Sequence, residues 1–182
     1  LRNRHMTLPI KKRDKLAVIG IHCDMNFRDW YTGSSDKNPT ILDAIIAKMG
    51  RENVIYEMGN DVIALRNAET GFYFSVSEDG TFSCDSATIN ESCLLELFDW
   101  GGGDVSLKSK YNGKFLCDSG VLADNGVIKC ISDEPHGWFV KEKFTVEKFG
   151  KERRLKNWQG RYLYINKNGQ VEVTDVIKPK NN

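Results

Sequence analysis

Apolar residues recur along this chain at distinct spacings, and each spacing predicts a different element. A short unbroken run, Leu16-Ala17-Val18-Ile19-Gly20-Ile21, predicts a buried strand. Further on, Ile41, Leu42, Ile45, Ile46 and Met49 share one face of a helix over about residues 40–49. Thr40 stands at its N-cap with Asp43 three residues later, and Gly50 follows its last turn, as start and stop signals should. From Arg51 onward alternation takes over, and the alternating segments come in threes. Val54-Ile55-Tyr56-Glu57-Met58, Leu94-Leu95-Glu96-Leu97-Phe98 and Phe144-Thr145-Val146-Glu147-Lys148-Phe149 read as one strand written three times.

Each of these strands leads through a glycine turn to a second strand anchored by Leu65, Leu107 or Leu155. The third strand follows a glycine, as Gly71-Phe72-Tyr73-Phe74, Gly113-Lys114-Phe115-Leu116 and Gly160-Arg161-Tyr162-Leu163. A hairpin dipeptide, Asp79-Gly80, Asn125-Gly126 or Asn168-Gly169, opens the fourth. The leading glycines lie 42 and then 47 residues apart, a period that marks a repeated supersecondary unit. Propellers need four to eight blades, so three four-stranded units predict an all-β fold, a β-trefoil of twelve strands with pseudo-threefold symmetry.

In this reading residues 1–50 are an extension with a basic arm, a short strand and a helix. Residues 51–177 are the trefoil and 178–182 a tail. Arg51–Met58 supplies the closing strand of the last unit, so the ends of the domain meet. The core is expected in layers of equivalent residues: Leu65, Leu107 and Leu155; Phe74, Leu116 and Leu163; Phe82, Ile128 and Val171.

Composition adds exclusions. The 182 residues are 40% hydrophobic and 28% charged with a net charge of +1, so no global field draws the chain to nucleic acid or anionic membrane. No apolar run reaches the roughly 18–20 residues of a spanning helix. Five cysteines, Cys23, Cys84, Cys93, Cys117 and Cys130, show no metal-binding spacing. Cys84 and Cys130 occupy the place held by Val173 in the third unit, which marks them as small apolar core residues and predicts free thiols in a reducing compartment.

Chemistry-bearing motifs are sparse. His5, His22 and His136 are scattered, and Asp24 and Asp29 are not at helical spacing. The reading is therefore of a non-enzymatic chain with no cofactor and no metal. Lys11, Lys12, Arg13 and Lys15 form a solvated arm rather than a nucleic-acid or phosphoinositide site. A basic turn, Lys148, Lys151, Arg153, Arg154 and Lys156, is a candidate surface for an acidic protein, with Glu147 and Glu152 offsetting its charge. For a sugar, the candidates are Trp158 and Gln159 beside Tyr162, and Trp138 in a separate loop, although no repeated Gln-x-Trp signature is present. The long segment Cys117–Lys129 is a candidate partner loop.

The segments Val62–Asn67, Gly71–Phe74, Asp79–Cys84, Val105–Ser109, Gly113–Leu116, Arg154–Asn157 and Gly160–Leu163 resemble the repeat of fascin-like β-trefoils over about two thirds of the chain. That resemblance implies a cytoplasmic protein-interaction module that binds actin. A single trefoil carries fewer surfaces than filament bundling needs. The alternatives are a carbohydrate-binding trefoil lectin and an interaction domain of a larger intracellular protein.

Overall fold

The computed structural model describes residues 8–26, 31, 38–120, 126–135 and 140–175. They divide into two compact units, one built chiefly from residues up to 60 and one from Asp61 onward.

In the first unit, β1 (Leu16–Ile19) is followed by α1 (Ile41–Met49) and β2 (Val54–Glu57). The capping box forms as the sequence predicts: Asp43 N–H donates to Thr40 Oγ1 at 3.0 Å, and Thr40 N–H to the Asp43 carboxylate at 2.9 Å. Gly50 N–H donates back to the Ile46 carbonyl at 2.8 Å. Leu42 and Met49 bury against Val18 and Val54, with Ile45, Ile46 and Tyr56 around them. Ile41 lies outside this contact at 60% exposure, so the helix's buried stripe is narrower than the sequence pattern.

One strand assignment is corrected here. Val54–Glu57 does not close the trefoil but pairs in parallel with β1, Leu16 opposite Val54 and Ile19 opposite Glu57. The physical reason is that α1 supplies the crossover that a parallel pair requires. Val54 and Tyr56, on one face of β2, then gain the helix as their apolar partner. Alternation says which face of a strand is buried but not which strand lies beside it.

The second unit contains β3 (Asp61–Ile63), β4 (Tyr73–Val76), β5 (Phe82–Ser86), β6 (Leu95–Gly101), β7 (Asp104–Ser109), β8 (Phe115–Asp118), β9 (Ile128–Ser132), β10 (Phe144–Phe149), β11 (Glu152–Asn157), β12 (Tyr162–Ile165) and β13 (Val171–Thr174). Five of them run side by side in the order β11–β10–β7–β6–β3, and three hairpins, β4–β5, β8–β9 and β12–β13, complete the lobes. Those hairpins are tied head to tail by a closed cycle of backbone bonds. Cys84 N–H donates to Gly169 O at 2.9 Å, Cys130 N–H to Gly80 O at 2.7 Å and Val173 N–H to Gly126 O at 3.1 Å. The donors are the three residues that the sequence repeat made equivalent. A cycle of this kind is the pseudo-threefold axis written in hydrogen bonds, and the fold is an all-β trefoil.

The turn ahead of each hairpin repeats as well. Gly71, Gly113 and Gly160 N–H donate to the carbonyls of Asn67, Ser109 and Asn157. The side chains of those three residues accept further turn amides, Glu69 and Thr70 on Asn67, Tyr111 on Ser109, Gln159 and Arg161 on Asn157. All nine residues of the expected core layers meet in one cluster. Leu107, Leu116, Phe82, Ile128 and Val171 are buried, and Leu65, Leu155, Phe74 and Leu163 pack on them half-buried. Each fully buried side chain contributes about 1.5–3 kcal/mol. All five cysteines are free, with Cys93, Cys117 and Cys130 buried. Desolvation pushes the Cys130 thiol up to about 12, so it stays protonated as the apolar residue its repeat position implies. Among the described residues no helix is long and apolar enough to cross a membrane.

Candidate functional site: a polar groove in the first lobe

Alternation along a strand sends successive side chains to opposite faces. In β4 and β5 it sends Val76 and Phe82 into the core and Ser75, Ser83 and Asp85 outward. Ser75 and Ser83 face each other across the hairpin, and both point their hydroxyls at one carboxylate. Ser75 Oγ donates to Asp85 Oδ1 at 2.6 Å and Ser83 Oγ to Asp85 Oδ2 at 2.9 Å. Beyond β5 a short 3-10 turn, Glu91–Cys93, is capped by Asn90, whose amide oxygen accepts from Ser92 N–H at 2.9 Å and Ser92 Oγ at 2.6 Å. Tyr111, on the turn between β7 and β8, forms another wall and is 48% exposed.

These elements border an open, shallow groove of about 520 Å³ lined by Ser75, Ser77, Ser83, Asp85, Asn90 and Tyr111, with Glu78, Glu91, Ser92 and Val76 completing it. Its volume lies within the roughly 300–1,000 Å³ of small-molecule sites. At its hairpin end, Asp79 is fixed by Ser77 Oγ at 2.5 Å, Thr81 N–H at 3.1 Å and Thr81 Oγ1 at 3.0 Å. Those donors, Ser77 first, hold its carboxyl below the usual carboxylate range.

The other lobes put different residues at the equivalent positions, and one of them, Cys117, is buried. Where the first lobe has Ser75, Ser83 and Asp85, the second has Cys117, Lys129 and Ile131, and the third Tyr164, Glu172 and Thr174. In the third lobe the Tyr164 hydroxyl donates to Glu172, and Asn166 Nδ2 donates to the same carboxylate at 2.6 Å, closing the surface onto itself. These bonds, Tyr164 first, lower the Glu172 pKa.

The sequence-predicted basic turn spans the β10–β11 hairpin, and its charges are not equivalent. Lys148 and Arg153 sit opposite each other across the β10–β11 hairpin and are exposed, as are Lys151 and Phe149. Arg154 instead lies over the Phe149 ring, 3.4 Å from its centroid. Lys156 pairs with Glu147 at 3.1 Å and covers the Tyr162 ring at 4.7 Å. The Tyr162 hydroxyl donates to Glu147 at 2.8 Å. Tyr162 therefore offers its ring to a lysine of its own lobe. Trp158 is half-buried and Gln159 exposed, its N–H held by Asn157. Trp138, His5, His136, Asp29 and residues 121–125 of the long loop lie outside the described residues. Among the described residues no three His, Cys, Asp or Glu side chains gather as metal ligands.

A second, smaller cleft of about 240 Å³ lies beside Trp100, with Ser106, Pro135 and Val140 lining it. There the Trp100 indole N–H donates to Ser106 Oγ at 3.0 Å, and Asp104 pairs with Lys143 at 2.5 Å.

Reasoning from sequence missed Ser75, Ser83, Asp85, Asn90 and Tyr111. A partial signal existed: the first hairpin carries two serines and an aspartate where the second carries Cys117, Lys129 and Ile131 and the third Tyr164, Glu172 and Thr174.

No protein-family model matches this chain, and neither does any curated protein at the level of sequence. Among solved structures it is similar to ThreeFoil, a designed 3-fold symmetric protein, with a TM-score of 0.56 at 16% identity over 66% of this chain and 93% of that one. It is also similar to part of a GlcNAcα1-4Gal-releasing endo-β-galactosidase from Clostridium perfringens, with a TM-score of 0.54 at 17% identity. That match covers 69% of this chain and 31% of the enzyme, so the chain spans under a third of its length. At such identities the likeness is one of fold, that of a β-trefoil.

Proposed function

We propose that the trefoil is a non-catalytic carbohydrate-binding module and that the first-lobe groove is its site. The observation that carries this reading is the convergence of an exposed tyrosine, a carboxylate and an amide in one concave, hydroxyl-lined groove. A sugar ring has an apolar C–H face and a rim of hydroxyls. Tyr111 supplies a flat amphipathic surface for the former. Asp85, Asn90 and the serines supply acceptors and donors for the latter. Asp85 arrives fixed by Ser75 and Ser83, so little ordering is left for the moment of binding. A fold neighbour that acts on a galactoside is compatible with this reading but lends it no residue.

A glycan array followed by calorimetry tests it. The wild type is expected to give saturable binders, and Tyr111→Ala and Asp85→Ala to weaken them about tenfold or more, a loss of roughly 1.4 kcal/mol each. The absence of any saturable glycan removes the reading.

A second reading keeps the fascin-like resemblance: an acidic cytoplasmic protein such as actin meets Lys148, Phe149, Lys151 and Arg153 at the β10–β11 tip. What favours it is that three cations and an aromatic are exposed on one hairpin. Co-sedimentation with actin filaments should then be salt-sensitive and lost on charge reversal of Lys148 and Arg153. No co-sedimentation at low or physiological salt eliminates it.

A further inference from the structure

The groove's charge is one-sided. Glu78, Asp85 and Glu91 line it, and no lysine, arginine or histidine does. Glu78 and Glu91 are exposed, and their carboxylates have neither a hydrogen bond nor an ion pair among the described residues. Asp85 is held only by neutral serine hydroxyls. Lys110, next to Tyr111, pairs with Glu96 at 3.3 Å, and Lys129, opposite Thr81, acts on Asp79 at the hairpin end without lining the groove. Elsewhere on this unit some carboxylates are matched by cations, Asp104 by Lys143, Glu147 by Lys156 and Asp175 by Arg161, and others such as Asp118 and Glu172 are held by neutral donors. In the groove three carboxylates share one lining with the exposed tyrosine. A concave surface focuses such a field on whatever enters it, and like charge brought close is a strong device for rejecting a wrong partner.

We propose that Glu78 and Glu91 sort sugars by charge at this site, with 2-amino-2-deoxyhexoses bearing a free ammonium bound best, neutral N-acetylhexosamines next and uronic acids rejected. The inference rests on the carbohydrate reading above. Tyr111, Asn90 and Asp85 hold the ring whatever its charge, and the two glutamates decide which substituent is welcome. Glu78, on the loop after β4, and Glu91, opening the 3-10 turn, come from different elements, so each can be altered without touching the core.

The test is calorimetry on the full chain at mildly acidic pH with three probes: the glucosamine tetramer, the N-acetylglucosamine tetramer and the galacturonate tetramer. The glucosamine tetramer is expected to bind at least tenfold tighter than its N-acetyl form, with the gap narrowing as salt rises, and galacturonate not to bind. In Glu78→Gln/Glu91→Gln the gap should collapse, and a gap unchanged in that variant overturns the proposal. Equal binding of all three probes overturns the charge order but leaves the carbohydrate reading standing. Binding of none of them, with an empty glycan array, removes both. Tetralysine binding as tightly as the glucosamine tetramer overturns the proposal too, because the groove would then attract cations without reading a sugar.

Discussion

At the scale of single residues, this chain uses hydrogen bonds to hold carboxylates in their charged form. Asp104 shows the consequence. Hydrogen bonds from Lys143 and then from Thr145 hold its carboxyl below the ordinary value. A group whose pKa is lower folded than unfolded adds stability above its unfolded value, near 4, and loses it as pH falls through the folded one. Asp79 and Glu147 are shifted in the same direction, by Ser77 and Tyr162 respectively. The urea midpoint should therefore fall as pH drops below about 4, and less steeply in Asp104→Asn. Identical acid limbs in wild type and variant would show that the Asp104 contacts are absent in solution. The Asp104 contact was not legible in sequence, because Asp104 and Thr145 belong to different lobes and meet only when β7 pairs with β10.

At the scale of elements, the glycines separate two roles that a motif merges. Gly80 and Gly160 both have φ of +80 degrees. A Cβ on Gly160 would meet nothing within 4 Å, whereas one on Gly80 would lie 2.5 Å from Ile131 Cγ2 and 2.6 Å from the Cys130 carbonyl oxygen. Gly160→Ala should thus cost only the left-handed strain, roughly 1–2 kcal/mol. Gly80→Ala adds a clash inside the hairpin ring, for roughly 2–4 kcal/mol in all. Equal losses in urea unfolding would contradict the ring. The helix was readable in detail, since Thr40, Asp43 and Gly50 each act within one turn of their own position. β2 was not, since its partner was chosen by an apolar contact with α1, and nothing in Val54–Glu57 distinguishes that partner from a trefoil strand.

At the scale of the whole molecule, what the three lobes share makes the fold and what they do not share makes the site. The repeated leucines and turn residues were legible because every lobe must satisfy the same core. Leu107, central to that layer, should cost about 2–5 kcal/mol when replaced by alanine, read from urea unfolding, and a loss under about 1 kcal/mol would show that the layer is not the core. The groove was not legible by the same logic, because Tyr111 comes from one lobe and Asp85 from another, and only lobe-on-lobe packing brings them to one wall. The basic hairpin was easier to see, as its charges are neighbours in sequence, and yet Arg154 and Lys156 are already engaged by Phe149, Glu147 and Tyr162. The most direct test is an amide chemical-shift titration of the labelled protein with tetrasaccharides derived from chitin, galactan and mannan. Saturable shifts at Ser75, Ser83, Asp85, Asn90 and Tyr111 for at least one of them, with Lys148 to Arg153 unmoved, are the predicted result. Shifts confined to the β10–β11 hairpin, or none at any concentration, would contradict the carbohydrate site.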